Sequence, residues 1–168
     1  MQLFDDVLYP SFRATIRGSY YGIVTEDFID EECYHLAERA ISAFKFPKIS
    51  TDYKTFYAVR QEDGTLKEVD QEEEGAIPHG KFINTLTYAE IEIIIAWMKV
   101  YWCENQISNA DNFDDMYTDA NIKTFSRANA VAQNTKLMAE YRNYARDLEN
   151  RYSRINNEHK PSLGDINE

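Results

Sequence analysis

After Phe125 and Ser126, one unbroken amphipathic pattern runs to about Ile155, and it constrains the fold more than any other feature of the chain. Leu137, Tyr141, Tyr144, Leu148, Tyr152 and Ile155 recur at three to four residues, the spacing of one helix face. At 1.5 Å per residue this predicts a rod of about 40 Å. That exceeds what a single domain of 168 residues must cover, so one end is expected to reach toward a neighbour. The segment that follows, 156–168, holds Pro161 and Gly164 and shows no period. It is expected to be an extended tail that orders on a partner.

A second helix precedes the rod. Thr87 with Glu90 three residues on forms a capping box, and Ile91, Ile94, Ile95, Met98, Tyr101 and Trp102 then occupy more than one face up to about Ile107. This is the expected central element. Further upstream, Thr25 caps a helix whose stripe of Phe28, Ile29, Cys33, Leu36, Ala37, Ala40, Ile41 and Phe44 stops before Pro47. Leu3 to Arg17 reads as a short helix kinked at Pro10 and ended by Gly18. Between the helix capped by Thr25 and the one capped by Thr87, at about 52–82, the period changes. Phe56 to Val69 reads as a projecting hairpin turning at Asp63-Gly64, followed by the solvated acidic loop Asp70 to Gly75. The fold class read from this order is mainly α: residues 1–155 form one helical-bundle domain with an inserted hairpin and acidic loop, then the extended tail.

Charge narrows the function. Eighteen Lys+Arg against 29 Asp+Glu give a net charge of −11, which repels a polyphosphate backbone and excludes tight nucleic-acid binding. The stretch Ile91 to Trp102 is broken by Glu92 and Lys99 and is too short to span a bilayer, and the N-terminus lacks the pattern of a signal peptide. Cys33 and Cys103 read as two buried thiols, in keeping with a reducing compartment.

No catalytic constellation emerges, and no enzyme, cofactor or metal is expected. Gly75-Ala76-Ile77-Pro78-His79-Gly80-Lys81 matches seven positions of a phosphate-binding loop, but Phe82 stands where a hydroxyl must hold Mg²⁺ and Glu72-Glu73-Glu74 replace the apolar strand. It reads as a surface loop. Glu32-x-x-His35 is a single copy of a step that di-iron bundles need twice. Asp111, Asp114, Asp115 and Asp119 lack the spacing of a calcium loop. Aromatic residues make up 14% of the chain, twelve of them tyrosines, and a side chain with apolar area and a polar tip suits surfaces that become buried on assembly.

The order of a buried helix, an acidic loop, the junction Asp119-Ala120-Asn121-Ile122-Lys123-Thr124-Phe125-Ser126-Arg127-Ala128-Asn129 and a long charged helix ending Tyr152-Ser153-Arg154-Ile155 resembles the head-to-tail connector, or neck adaptor, proteins of tailed bacteriophages. The likeness covers roughly residues 85–155, and the acidic, tyrosine-rich character is similar to that of ring proteins of crAss-like phages. The resemblance implies a homo-oligomeric ring below the portal, commonly twelvefold, that joins capsid to tail at the neck of the virion. Such a ring is made in the host cytoplasm, contacts the portal and a tail or second neck protein, lets DNA pass without binding it, and needs no membrane. It implies portal docking through Tyr152, Arg154, Ile155, Pro161, Leu163 and Ile166. Subunit contacts then fall to Phe56, Tyr57, Val59, Leu66, Tyr141 and Tyr144. Glu72, Glu73, Glu74, Asp114 and Asp115 are expected to line an acidic lumen. The competing reading is a small cytosolic interaction or regulatory module that binds one partner through the long helix and tail.

Overall fold

The computed structural model of the chain describes residues 2–16, 25–61, 63–112 and 120–157. In chain order the elements are β1 (Gln2–Leu3), α1 (Phe4–Val7), α2 (Tyr9–Thr15), α3 (Glu26–Ala43), β2 (Tyr53–Arg60), β3 (Leu66–Val69), β4 (Ile77–Phe82), α4 (Tyr88–Asn112) and α5 (Ala120–Asn157).

The helix ends follow from local chemistry. The Thr25 hydroxyl accepts the Phe28 N–H at 3.4 Å and opens α3. At the start of α4 the Glu90 carboxylate reaches back to Thr87, accepting its N–H at 2.8 Å, the glutamate half of a capping box, and its hydroxyl at 2.9 Å. The expected N-terminal helix is divided at Leu8, so that Pro10 falls in the first turn of α2, where its missing N–H costs nothing. Six consecutive residues, Ile93 to Met98, are buried, because α4 lies between α3 and α5 and has no free face there. The two expected thiols, Cys33 and Cys103, are both buried and unbridged.

The expectation of a mainly α bundle with a projecting hairpin does not hold. The hairpin is present, turning at Gly64 with φ +83°, but it belongs to a curled four-stranded antiparallel sheet in the order β1-β4-β2-β3, and the fold is mixed α and β. Two strands are unexpected: β1, whose Leu3 falls in the expected first helix, and β4, within the stretch expected to be a surface loop. The residues of β4 pair with β2 from Tyr53↔Phe82 to Ala58↔Ile77, while β1 flanks β4 only at Lys81 and Phe82. Pro78 therefore sits where one side of β4 is free of β1, the kind of position that tolerates proline in a sheet. Gly80 has a different reason. A Cβ at this position would overlap the Phe4 ring, so only glycine lets Phe4 lie flat on the strand.

The core joins both layers. Phe4, Leu8, Phe12, Leu36, Phe82, Ile93, Ile94 and Met98 are its fully buried large side chains. The helix α5 has 38 residues, about 57 Å, against 25 in α4. Tyr152 on Glu90 and, nine residues further along α4, Lys99 over the ring of Tyr141, eleven residues back along α5, set the two antiparallel. In that register most of the surplus length of α5 falls at its N-terminal end.

Candidate functional site

Three polar assemblies tie the layers together. The first is built on Glu90, a buried carboxylate. One oxygen takes the two Thr87 bonds, and the other accepts the Ile49 N–H at 3.1 Å and the Tyr152 hydroxyl. The Tyr152 oxygen in turn accepts the Lys48 N–H at 3.0 Å. Burial pushes the Glu90 carboxyl up, but the hydrogen bonds from Tyr152, Thr87 and Ile49 outweigh it and hold it below its ordinary value. Tyr152, expected at a docking end, is thus a core residue that pins α5 to α4 and to the loop after α3.

The second assembly is the triad Arg13–Asp30–Arg60. Each Asp30 oxygen meets one guanidinium, Arg13 on α2 and Arg60 at the end of β2. Arg13 also holds Glu26 at 2.8 Å, and Arg60 donates to the Gly64 carbonyl at 3.1 Å. Burial raises the Asp30 carboxyl against the pull of both arginines. The triad ties α2, α3 and the hairpin together beside a cleft of about 610 Å³ that Tyr9, Asp6, Thr65 and Leu66 also line. Burial, with Asp5 second, holds the Tyr9 phenol far above its ordinary value, so the ring presents an O–H donor. Its oxygen has no partner among the described residues.

The third is His79 on β4, fully buried and stacked on Phe56 at 5.6 Å. Its Nδ1 lies 3.1 Å from both Asp5 oxygens. A carboxylate and imidazole in this order can orient a general base. Here Nε2 is buried and has no partner among the described residues, and the Cys33 thiol is pushed by burial to about 12 and is no thiolate. The arrangement packs α1 onto the sheet.

The residues expected to carry function are dispersed. Phe56 and Leu66 line one groove, whereas Tyr57 and Val59 alternate to the other sheet face, so the four cannot form one patch. Tyr141 is half-buried beneath Lys99, 5.8 Å from its ring centroid. Tyr144 stays 43% exposed, its hydroxyl donating to Glu92 at 2.8 Å. Glu72, Glu73 and Glu74 are exposed in the turn between β3 and β4, and Arg154 is exposed near the end of α5. Asp114, Asp115, Pro161, Leu163, Ile166 and the Ile155 side chain lie outside the described residues.

Sequence reasoning missed the Arg13–Asp30–Arg60 triad. A signal was present: Asp30 stands three residues before Cys33 and seven before Ala37, on the buried stripe of α3, and an acid there needs cationic partners. Among the described residues no group of three or more His, Cys, Asp or Glu is placed to hold a metal ion, and no helix is long and apolar enough to cross a membrane. Comparison with family models, curated proteins and solved structures gives no match for the chain.

Proposed function

We propose that this chain is a structural subunit of a tailed-phage neck, forming a ring below the portal through which DNA passes, with no catalytic role. A closed ring needs two unlike surfaces on each subunit, because a head-to-tail contact is not self-complementary. The observation that carries the reading is the pair of unlike surfaces on opposite layers. On the sheet side, β3 ends the sheet with exposed Lys67 and Glu68 and an outer edge that is unpaired among the described residues; on the helical side, α5 continues past the end of α4. Edge strands of this kind can add a strand from a neighbour. The acidic turn Glu72-Glu73-Glu74 beside that edge suits a lumen that DNA must slide past.

The test is stoichiometry in particles of a phage whose genome carries this chain. Quantitative mass spectrometry of the DNA-filled fraction should give about one copy per portal subunit, as a symmetric neck ring demands. Absence from particles overturns the reading and favours a cytosolic one-partner module.

A further inference from the structure

Between Glu38 and Asp52 the chain has no acid, although it holds 29 in all. Within this stretch Lys45-Phe46-Pro47-Lys48 forms the irregular corner that follows α3, with Phe46 72% exposed and both lysines exposed beside it. A lone exposed phenyl ring is ordinary on a protein surface. What singles this one out is a complementary cleft at the other end of α3.

The cleft of about 610 Å³ beside the Arg13–Asp30–Arg60 triad is lined by Glu26 and Asp30 from the first turns of α3. The corner follows the last turn of the same helix, whose 18 residues span about 27 Å. Around the cleft, Asp5, Asp6, Glu26 and Asp30 set four carboxylates against two guanidiniums, and Leu3, Pro10 and Leu66 give apolar walls. His79 or an arginine engages Asp5, Glu26 and Asp30. Asp6 is exposed and has no ion-pair partner among the described residues, and the same holds for Lys45 at the corner. The Tyr9 hydroxyl adds a donor without an acceptor, on a side chain only 3% exposed. An occupant of this cleft must therefore bring apolar surface, a cation and a hydrogen-bond acceptor. A phenyl ring beside a lysine, on backbone whose carbonyls belong to no helix or strand, brings all three.

We propose that the occupant is the corner at residues 45–48 of a second copy of this chain, with Phe46 between Leu3, Pro10 and Leu66 and Lys45 on Asp6. The two patches sit at opposite ends of one helix and cannot meet within a molecule, so each copy offers its corner to one neighbour and its cleft to another. Such a head-to-tail contact repeats until rotation closes it. It names a subunit contact for the ring proposed above and rests on that reading for closure alone, since the contact is read on purified protein and the ring on particles.

Zero-length carbodiimide crosslinking of the full chain tests this, using concentrated protein mixed equally from ¹⁴N- and ¹⁵N-labelled preparations. Lys136 and Glu140, 4.0 Å apart on α5, give the positive control within one molecule. The expected product joins Lys45 to Asp6, and half of it carries both isotopes, as pairing between molecules requires. Phe46 is exposed in the single subunit, so F46S leaves the core intact; it should lower the yield by on the order of tenfold, as the loss of one apolar side chain from a contact implies. Three results overturn the proposal: no Lys45–Asp6 link while the control forms, links confined to one isotope type, or an undiminished yield in F46S.

Discussion

Single side chains carry the most exposed test of this fold at Glu90. Glu90→Gln keeps one accepting oxygen but turns an NH2 group, which cannot accept, toward the other pair of donors, and should destabilise the chain by about 2–4 kcal/mol in urea unfolding at pH 7. The pH dependence has a definite sign. The folded-state carboxyl of Glu90 lies below its ordinary value, so its contribution is full above the unfolded-state value and is lost as pH falls through the folded one. The wild-type advantage over Glu90→Gln should therefore shrink between neutral pH and pH 3; an advantage unchanged by acid would show that the carboxylate is not what the site holds. Gly80→Ala makes a second test, since its Cβ meets the Phe4 ring; a loss of about 2 kcal/mol in thermal or urea unfolding is expected, and a neutral result would refute that packing. Glu90 was legible in the sequence as the third residue after a capping threonine. Its second role, receiving Tyr152 and the Ile49 N–H, was not, because both partners come from more than forty residues away and no local pattern encodes them.

Among elements, legibility tracked periodicity. The helices α3, α4 and α5 and the β2–β3 hairpin announce themselves through three-to-four spacing, caps and an Asp-Gly turn. The strand β4 does not: Ile77-Pro78-His79-Gly80-Lys81-Phe82 has one proline, one glycine and two basic residues, a composition depleted in strands. Its place in the sheet is set instead by tertiary partners, Phe4 over Gly80 and Asp5 on His79. The attachment of the hairpin was equally hidden, since it depends on Asp30 meeting two arginines from separate elements. Asp30→Ala should leave Arg13 with Glu26 alone and Arg60 with the Gly64 carbonyl and Asp27 at 3.9 Å, and cost about 1–3 kcal/mol. Hydrogen exchange resolved by residue should place the largest loss of protection in β2, β3 and the first turns of α3. Loss confined to α5 would contradict the triad's part in joining hairpin to helices.

For the whole molecule, the proposal of a ring that DNA traverses without adhering rests on the net charge of −11 and on the unlike sheet and helix surfaces. If Glu72, Glu73 and Glu74 face that lumen, the triple substitution E72Q/E73Q/E74Q should leave assembly intact while slowing DNA ejection, measured as the rate of DNA release from particles; normal release would remove the lumenal role. The proposed ring is tested most directly by a symmetry-resolved reconstruction of the neck in DNA-filled particles of a phage whose genome carries this chain. The prediction is a closed ring of this subunit below the portal, commonly twelvefold, with the antiparallel α4–α5 pair and the curled sheet repeating around the axis. A neck whose density is filled by other folds, with no copy of this one, would contradict the proposal.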